Sequence, residues 1–243
     1  AMKREHTNRI RFVLEDVLPA FLHDSPLFRQ AASLIWGKHI AELAAFRERA
    51  PFLSDEEYEA LYKNHPRVHE GTDNSEACIE AICADIMGDS VCDIGCGTGY
   101  LLSRIRDARP RLGRLTGVDF AIDDASSLDG IEYVAAKIES LPFADDEFDT
   151  VVCTHVIEHV LDYRQAISEL RRIARRRLII VVPREREYRY TFNPHFNFFP
   201  YTHSFLRAMQ PVPEAHACRD IQRDIYYCET LDASAAPRMV AAE

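Results

Sequence analysis

The sequence of 243 residues is poor in features that anchor or staple a chain. It contains no run of 18 apolar residues, so no membrane partner is expected. The seven cysteines (78, 83, 92, 96, 153, 218 and 228) are odd in number and none forms a C-x-x-C pair. They fall in apolar strand and helix patterns and read as buried, reduced thiols of a cytosolic protein. No secretory signal pattern is present, which makes the expected location cytoplasmic. Positive charge is short: 29 Lys and Arg stand against 39 Asp and Glu, a net charge of −10. That balance argues against a general affinity for phosphate backbones, so nucleic acid is not the expected partner. Repeats and low-complexity segments are missing. Glycine is scarce as well, with nine in all, yet three of them (Gly95, Gly97, Gly99) crowd into one stretch.

That stretch, Val91 to Tyr100, is the most informative part of the chain. An apolar lead runs into Asp93, the glycines alternate, and a helical pattern follows at Tyr100, Leu101, Leu102 and Ile105. Strand, glycine turn and helix form the first βα unit of a dinucleotide-type fold, with the ligand over the helix N-terminus. The spacing departs from the dinucleotide fingerprint, whose third glycine stands three residues after the second. Here Tyr100 occupies that position and the glycine comes one residue earlier. Asp93, at the carboxyl end of its strand, is poorly suited to pyrophosphate and well suited to an ammonium group.

Before this unit, residues 7–49 read as two or three helices, with Pro19 as an interruption and Ser25-Pro26 opening a second helix. Ser54 to Glu57 starts another, and residues 64–74 form a polar, hinge-like turn. Residues 1–70 are therefore expected to be a helical cap or lid, or else a dimerisation arm, and 71–243 the ligand-binding domain. A helix from Asn74 or Ser75 precedes strand one. Strand two ends at Asp119, 20 residues after Gly99, where this fold grips a ribose diol. Strand three is 131–135, strand four 150–154, and a helix over 162–173 leads to a continuous apolar strand, 178–182, of the kind buried on both faces. An aromatic loop at 188–201, a helix at 202–209 and two antiparallel strands near 215–220 and 224–231 complete the pattern.

The glycine stretch resembles motif I of the class I S-adenosylmethionine-dependent methyltransferases. Gly117-Val118-Asp119-Phe120 resembles the second motif, and Leu141-Pro142-Phe143 with Asp145, Phe148 and Asp149 resembles a signature of small-molecule methyltransferases. Cys153-Thr154-His155-Val156-Ile157-Glu158-His159-Val160 is similar to the motif after strand four, and Phe196 to Phe199 with Leu206 to a loop over the acceptor. The resemblance covers about residues 75–200. It implies a Rossmann-like α/β fold, a seven-stranded mostly parallel sheet with its last strand antiparallel, under the N-terminal cap. It also implies S-adenosyl-L-methionine as cofactor, held by Asp93, Gly95, Cys96, Gly97 and Gly99. Asp119 would hold the ribose and Phe120 would lie on the adenine. Cys153 and Thr154 would border the methionine moiety. The family's usual acid near the adenine amino group is Lys137 here, which leaves the backbone at Ile138 and stacking to hold the base. The family's turn before strand five is replaced by Ala174-Arg175-Arg176-Arg177.

The implied activity is methyl transfer to a small-molecule acceptor. No Asn/Asp-Pro-Pro-Tyr follows strand four, which favours a hydroxyl, a carboxyl or an activated carbon as nucleophile. His195 and His155 are the candidate general bases. An NAD-dependent oxidoreductase and a non-catalytic S-adenosylmethionine-binding regulator are the competing readings. His155 to His159 also matches the H-x-x-E-H zinc pattern, but it follows a core strand that the methyltransferase pattern accounts for, so no metal is expected. The arginines at 171, 172 and 175–177 read as a solvated helix end, where cations complement the helix dipole.

Overall fold

The computed structural model describes residues 18–36, 46–54, 56–57, 72–122, 128–190 and 194–231. The helix expected around Ile10 to Val17 and most of the expected hinge lie outside these residues. The chain divides into two contact units, one comprising 1–70 with Glu185–Pro200, the other 71–184 with 201–243.

In the first unit, α1 (Ala20–His23) starts after Pro19, and α2 (Pro26–Trp36) starts where Ser25 Oγ accepts the Phe28 amide at 3.1 Å. A short α3 (Phe46–Arg49) runs into a 3₁₀ turn. Ser54 and Glu57 exchange side-chain to backbone bonds at 2.9 and 3.2 Å, the reciprocal capping box that satisfies two orphan amides. The Glu185–Pro200 segment joins these helices through their aromatic residues. His23 lies against Tyr188 and Phe46 against Phe196, with ring centroids 4.1 and 5.1 Å apart, and Asp24 Oδ1 accepts the Arg189 amide at 2.7 Å.

The second unit is built on a seven-stranded sheet in the order β3-β2-β1-β4-β5-β7-β6. Its strands are β1 (Ser90–Ile94), β2 (Arg114–Asp119), β3 (Glu132–Ala135), β4 (Phe148–Thr154), β5 (Ala174–Pro183), β6 (His216–Ile221) and β7 (Asp224–Thr230). The first five run parallel, and β7 pairs antiparallel with both β5 and β6, so six strands share one direction. Between them lie α4 (Glu76–Asp85), α5 (Tyr100–Ala108), α6 (Tyr163–Ile173) and α7 (Thr202–Ala208).

α4 and α6 start where the sequence supplies a side-chain cap. Ser75 Oγ accepts the Cys78 amide at the start of α4, and Asp162 Oδ1 accepts the Gln165 amide at the start of α6. One sheet face is covered by α4 and α5. Cys78, Ile79, Ile82, Leu101, Leu102 and Ile105 pack there on Val91, Val152, Ile179 and Val181. The alternate residues of the same strands meet α6, whose Ala166, Ile167, Leu170 and Ile173 are buried at helical spacing. With both faces covered, Leu178 to Val182 are each fully buried, as their unbroken apolar run requires.

The arginine run corrects one expectation. α6 ends at Ile173 and β5 begins at Ala174 with no intervening loop, so Arg175, Arg176 and Arg177 are strand residues. Nor are the two helical arginines a solvated end. Arg171 makes a bidentate pair with Glu229 at 2.7 and 2.8 Å, and Arg172 binds Glu169 while donating to the carbonyls of Leu141 and Phe143. Arg175 pairs with Asp149, which also accepts the Asp89 amide at 2.9 Å and the Ser90 hydroxyl at 3.2 Å. These residues lie at the amino ends of the strands. The Leu141-Pro142-Phe143 and Phe148-Asp149 signature therefore serves this end of the sheet as a fastening.

Candidate cofactor site

The opposite end of the sheet carries the glycine loop. Gly95 and Cys96 donate their amides to Val118 O at 2.7 and 3.0 Å, which folds the loop back over β2. Gly95 and Gly99 both have φ of 78°, a left-handed conformation that side chains resist. A Cβ on Gly95 would fall on Val156, and one on Gly99 on the Tyr133 hydroxyl, so both positions also demand glycine for space. Gly99 caps α5, whose first turn thus opens toward the loop.

Two carboxylates stand at the loop. Asp119, the last residue of β2, accepts the Gly97 amide with Oδ2 at 2.9 Å and the Ala121 amide with Oδ1 at 3.2 Å. Asp93 is 1% exposed, and its Oδ1 meets no hydrogen-bond donor among the described residues. Burial, with the negative charge of Asp119 added, pushes the Asp93 carboxyl up to about 8. An isolated buried carboxylate is costly, so the group stays neutral until a cation reaches it. That is the environment an ammonium-bearing ligand converts into a charge-assisted bond.

The remaining positions surround this pair. Ala135, opposite Asp119 in register, leads into Lys137 and the buried Ile138. Lys137 O accepts the Ser140 amide, so this segment is a turn at the end of β3. Phe120 follows Asp119 directly and is half-buried. Cys153 is wholly enclosed in β4, and burial holds its thiol well above the ordinary range, so it lines the base of the site as an inert apolar group. Thr154 ends β4, and its Oγ1 accepts from Asn74 Nδ2 at 2.8 Å.

His155 follows in a left-handed conformation, φ 56°. Its Nδ1 lies 3.5 Å from Glu158 Oε1 and its Nε2 3.9 Å from Asp224 Oδ1, ion-pair distances. Burial opposes its charge, but the Glu158 contact and the charges of Asp224, Glu158 and Asp73 outweigh it, and the imidazole is shifted upward. Only Ile157–His159 form a helical turn here, a single 3₁₀ turn, so His155 and His159 do not share the α-helical face that the H-x-x-E-H pattern requires. His195, in the first unit, places Nδ1 2.7 Å from Glu185 Oε2, with both side chains buried.

Four of these residues carried no sequence signal of their own. Asn74 reads only as a helix start, Tyr133 as one residue of a short strand and Asp224 as the first residue of a strand, and Glu185 is not singled out at all. Their roles come from tertiary neighbours.

Residues 92–182 match the family model described as "Methyltransferase domain". The chain carries a class I S-adenosylmethionine-dependent methyltransferase domain. Curated relatives match over part of the chain. The chain is 34% identical over 116 residues to the bifunctional methionine biosynthesis protein MetXA/MetW of Rhodopirellula baltica, covering 44% of this chain and 18% of that protein. It is 30% identical to the 2-phytyl-1,4-naphtoquinone methyltransferase of Trichormus variabilis (35% and 42% covered) and 33% identical to the tRNA U34 carboxymethyltransferase of Campylobacter curvus (36% and 31% covered). The matched region thus spans less than half the length of these relatives. A crystal structure of a Pyrococcus horikoshii protein superposes with a TM-score of 0.52 at 18% identity, covering 70% of this chain and 98% of that one. This likeness shows the fold. For the methyltransferase domain, S-adenosylmethionine is the cofactor the family uses. The buried unpaired Asp93 and the glycine cradle fit it.

Proposed function

We propose that this chain transfers the methyl group of S-adenosylmethionine to a small-molecule acceptor at a hydroxyl, a carboxyl or an activated carbon, in a cytoplasmic setting. The observation that carries the reading is the pairing of a glycine loop with the buried, unpaired Asp93 at the carboxyl ends of β1 and β2. When bound, S-adenosylmethionine supplies a methyl group already activated by its sulfonium. The chain's residues then have to bind, align and exclude water, work that contributes roughly 7–11 kcal/mol to lowering such barriers.

Asp93 takes the ammonium group and becomes charged in doing so. The loop from Gly95 through Cys96 and Gly97 to Gly99 presents backbone, and Asp119 takes the ribose hydroxyls while steadying the Gly97 amide. Phe120 and Ile138 flank the adenine, with the Lys137 backbone beside it. Thr154 and His155 border the methionine side. Residues 1–70, which group with the aromatic Glu185–Pro200 segment in one contact unit, serve as the cap or lid. His195 is the general base for a hydroxyl nucleophile. The relatives that act on quinones favour a small acceptor; the tRNA-directed relative sets the alternative that the test must face.

The test has two parts. Calorimetry should show S-adenosylhomocysteine binding and NAD not binding; tighter binding of NAD would overturn the cofactor assignment. Methyl-labelled S-adenosylmethionine incubated with a cell extract should deposit label in the small-molecule fraction. Label recovered in tRNA would move the acceptor class, and loss of transfer in His195→Ala with cofactor affinity unchanged would support the base.

A further inference from the structure

The sheet ends at β6, and among the described residues no strand lies beyond it. Its pairing with β7 runs residue for residue from His216–Glu229 to Ile221–Asp224 without a bulge, and the strand contains no proline. Bulges and prolines are two of the devices that keep an edge strand from pairing further. The Thr230 amide donates to Ala215 O at 2.9 Å, so 215 and 230 form a hydrogen-bonded pair. Bonded and unbonded pairs alternate in an antiparallel ladder, and Ala217, Arg219 and Ile221 therefore direct their backbone groups to β7. His216, Cys218 and Asp220 turn theirs to the open edge, where the His216 amide has a local acceptor in Glu214 O at 3.0 Å. His216, Ala217, Arg219 and Asp220 are exposed. On one face of the strand His216 stacks on Tyr227 and Cys218 donates to Thr202 O, while Arg219 lies over Tyr226 on the other.

We propose that the outer edge of β6 joins a second copy of this chain, antiparallel and centred on Cys218, so that two sheets run on as one. Two copies of an edge strand pair antiparallel about a two-fold axis perpendicular to the sheet, an isologous contact. Only residues of the same face can stand opposite, so the axis passes beside one residue, which meets itself. Charge then selects the register. Centring on Arg219 sets two guanidinium groups together, and centring on Asp220 sets two carboxylates together. Centring on Ala217 brings Asp220 against Glu214 of the other copy. Centring on either end residue leaves the rest of the strand unpaired. With Cys218 at the centre no charge stands directly opposite its like: Asp220 faces His216 and Arg219 faces Ala217. The outward groups also match there. The two Cys218 residues exchange amide–carbonyl bonds, and each Asp220 amide reaches a His216 carbonyl. The contact is one strand long, so the dimer is reversible and concentration-dependent.

Sedimentation of the whole chain over a range of concentrations tests the edge, and a cross-link tests the register. The wild type should pass reversibly from monomer to dimer as it is concentrated. Cys218→Pro removes an outward amide and leaves the bonds to β7 in place, because proline on an edge strand gives up only the solvent-side donor. It should weaken dimerisation about tenfold or more, with circular dichroism unchanged. Ala217→Arg, which sets a second guanidinium against Arg219 of the other copy, should weaken it too and serves alone if the proline variant does not fold. In the centred register the two Cys218 Cα atoms stand about 5.5 Å apart, within disulfide reach. Diamide, which takes two electrons and two protons from a thiol pair, should then yield a disulfide dimer that Cys218→Ser abolishes. A wild type that stays monomeric up to its solubility limit overturns the proposal. If removing residues 232–243 then makes it dimerise, the edge belongs to the chain's own tail. A dimer that ignores both Cys218→Pro and Ala217→Arg also overturns it, as does a cross-link formed in equal yield by Cys218→Ser.

Discussion

Asp149, at the amino end of β4, and Asp93, at the carboxyl end of β1, are both buried acids of the same sheet, and their surroundings are opposite. Asp149 takes the Asp89 amide, the Ser90 amide and hydroxyl, and the Arg175 guanidinium. Burial alone would raise its carboxyl, but the Arg175 contact and the backbone amides outweigh it and hold the group below its ordinary value. Asp93 has an oxygen with no donor among the described residues and is pushed up to about 8 by burial and Asp119. Asp149 has donors on both of its oxygens, whereas Asp93 keeps one oxygen without a donor among the described residues. Stability is concentrated at the first and ligand chemistry at the second, as the rule for parallel sheets leads one to expect.

Substitutions at the two ends should therefore fail differently. The largest effect belongs to the glycine loop. Gly97, with φ of 54°, gives its amide to Asp119, and Gly97→Val should weaken S-adenosylhomocysteine binding by more than about 100-fold, or roughly 2.7 kcal/mol, in calorimetry. Its stability in urea should fall only by the roughly 1–2 kcal/mol that a side chain in the left-handed conformation costs. Asp149→Ala should do the reverse. Loss of several charge-assisted bonds should cost about 2–4 kcal/mol in urea unfolding, with cofactor affinity of the remaining folded protein unchanged. If both variants lost affinity and stability in parallel, the division between the ends would be wrong.

A smaller and more diagnostic effect is expected at Asp93. Its native pKa of about 8 lies above the ordinary carboxyl value, so the folded free protein binds more protons than the unfolded chain between about pH 4 and pH 8. Stability of the free protein should fall as pH rises through that window. Asp93→Asn should remove the fall, raising the melting temperature at pH 9 and leaving it unchanged near pH 4, while S-adenosylhomocysteine binds about 10–100-fold more weakly. Asp149 has the opposite linkage: its contribution is present at neutral pH and is lost as pH falls through its depressed pKa. Equal slopes in wild type and Asp93→Asn would mean that the carboxyl is charged in the free protein.

The sequence showed the carboxyl end better than the amino end. Gly95, Gly97, Gly99, Asp93 and Asp119 form short-range patterns whose spacing follows from one strand–turn–helix unit, and the seven strands followed from apolar runs. The arginines were misread because a helix passing directly into a strand leaves no turn residues to mark the boundary. What satisfies Arg171 and Arg175 is Glu229 and Asp149, 58 and 26 residues away in sequence. Tyr133 over Gly99, Asn74 on Thr154 and Glu185 on His195 were invisible for the same reason. Each is an ordinary polar or aromatic residue that becomes specific only when the fold supplies its neighbour.

His155 offers the smallest effect and the finest division within the carboxyl end itself. There, beside the unsatisfied Asp93, is a histidine with acids on two sides: Glu158 of the following turn and Asp224 of β7, with Asp73 adding its charge from before α4. Burial works against its charge and these acids work for it, with a net upward shift. A raised histidine pKa favours the fold when protonated, so the contribution is complete below the unfolded value of about 6.5 and disappears as pH rises through the native one. His155→Asn isolates that term, because asparagine tolerates the left-handed backbone at this position and leaves φ unstrained. The variant should melt below the wild type at pH 6, and the gap should close by pH 9. A gap that stayed constant from pH 6 to pH 9 would show that packing, and not the imidazolium, is what His155 contributes.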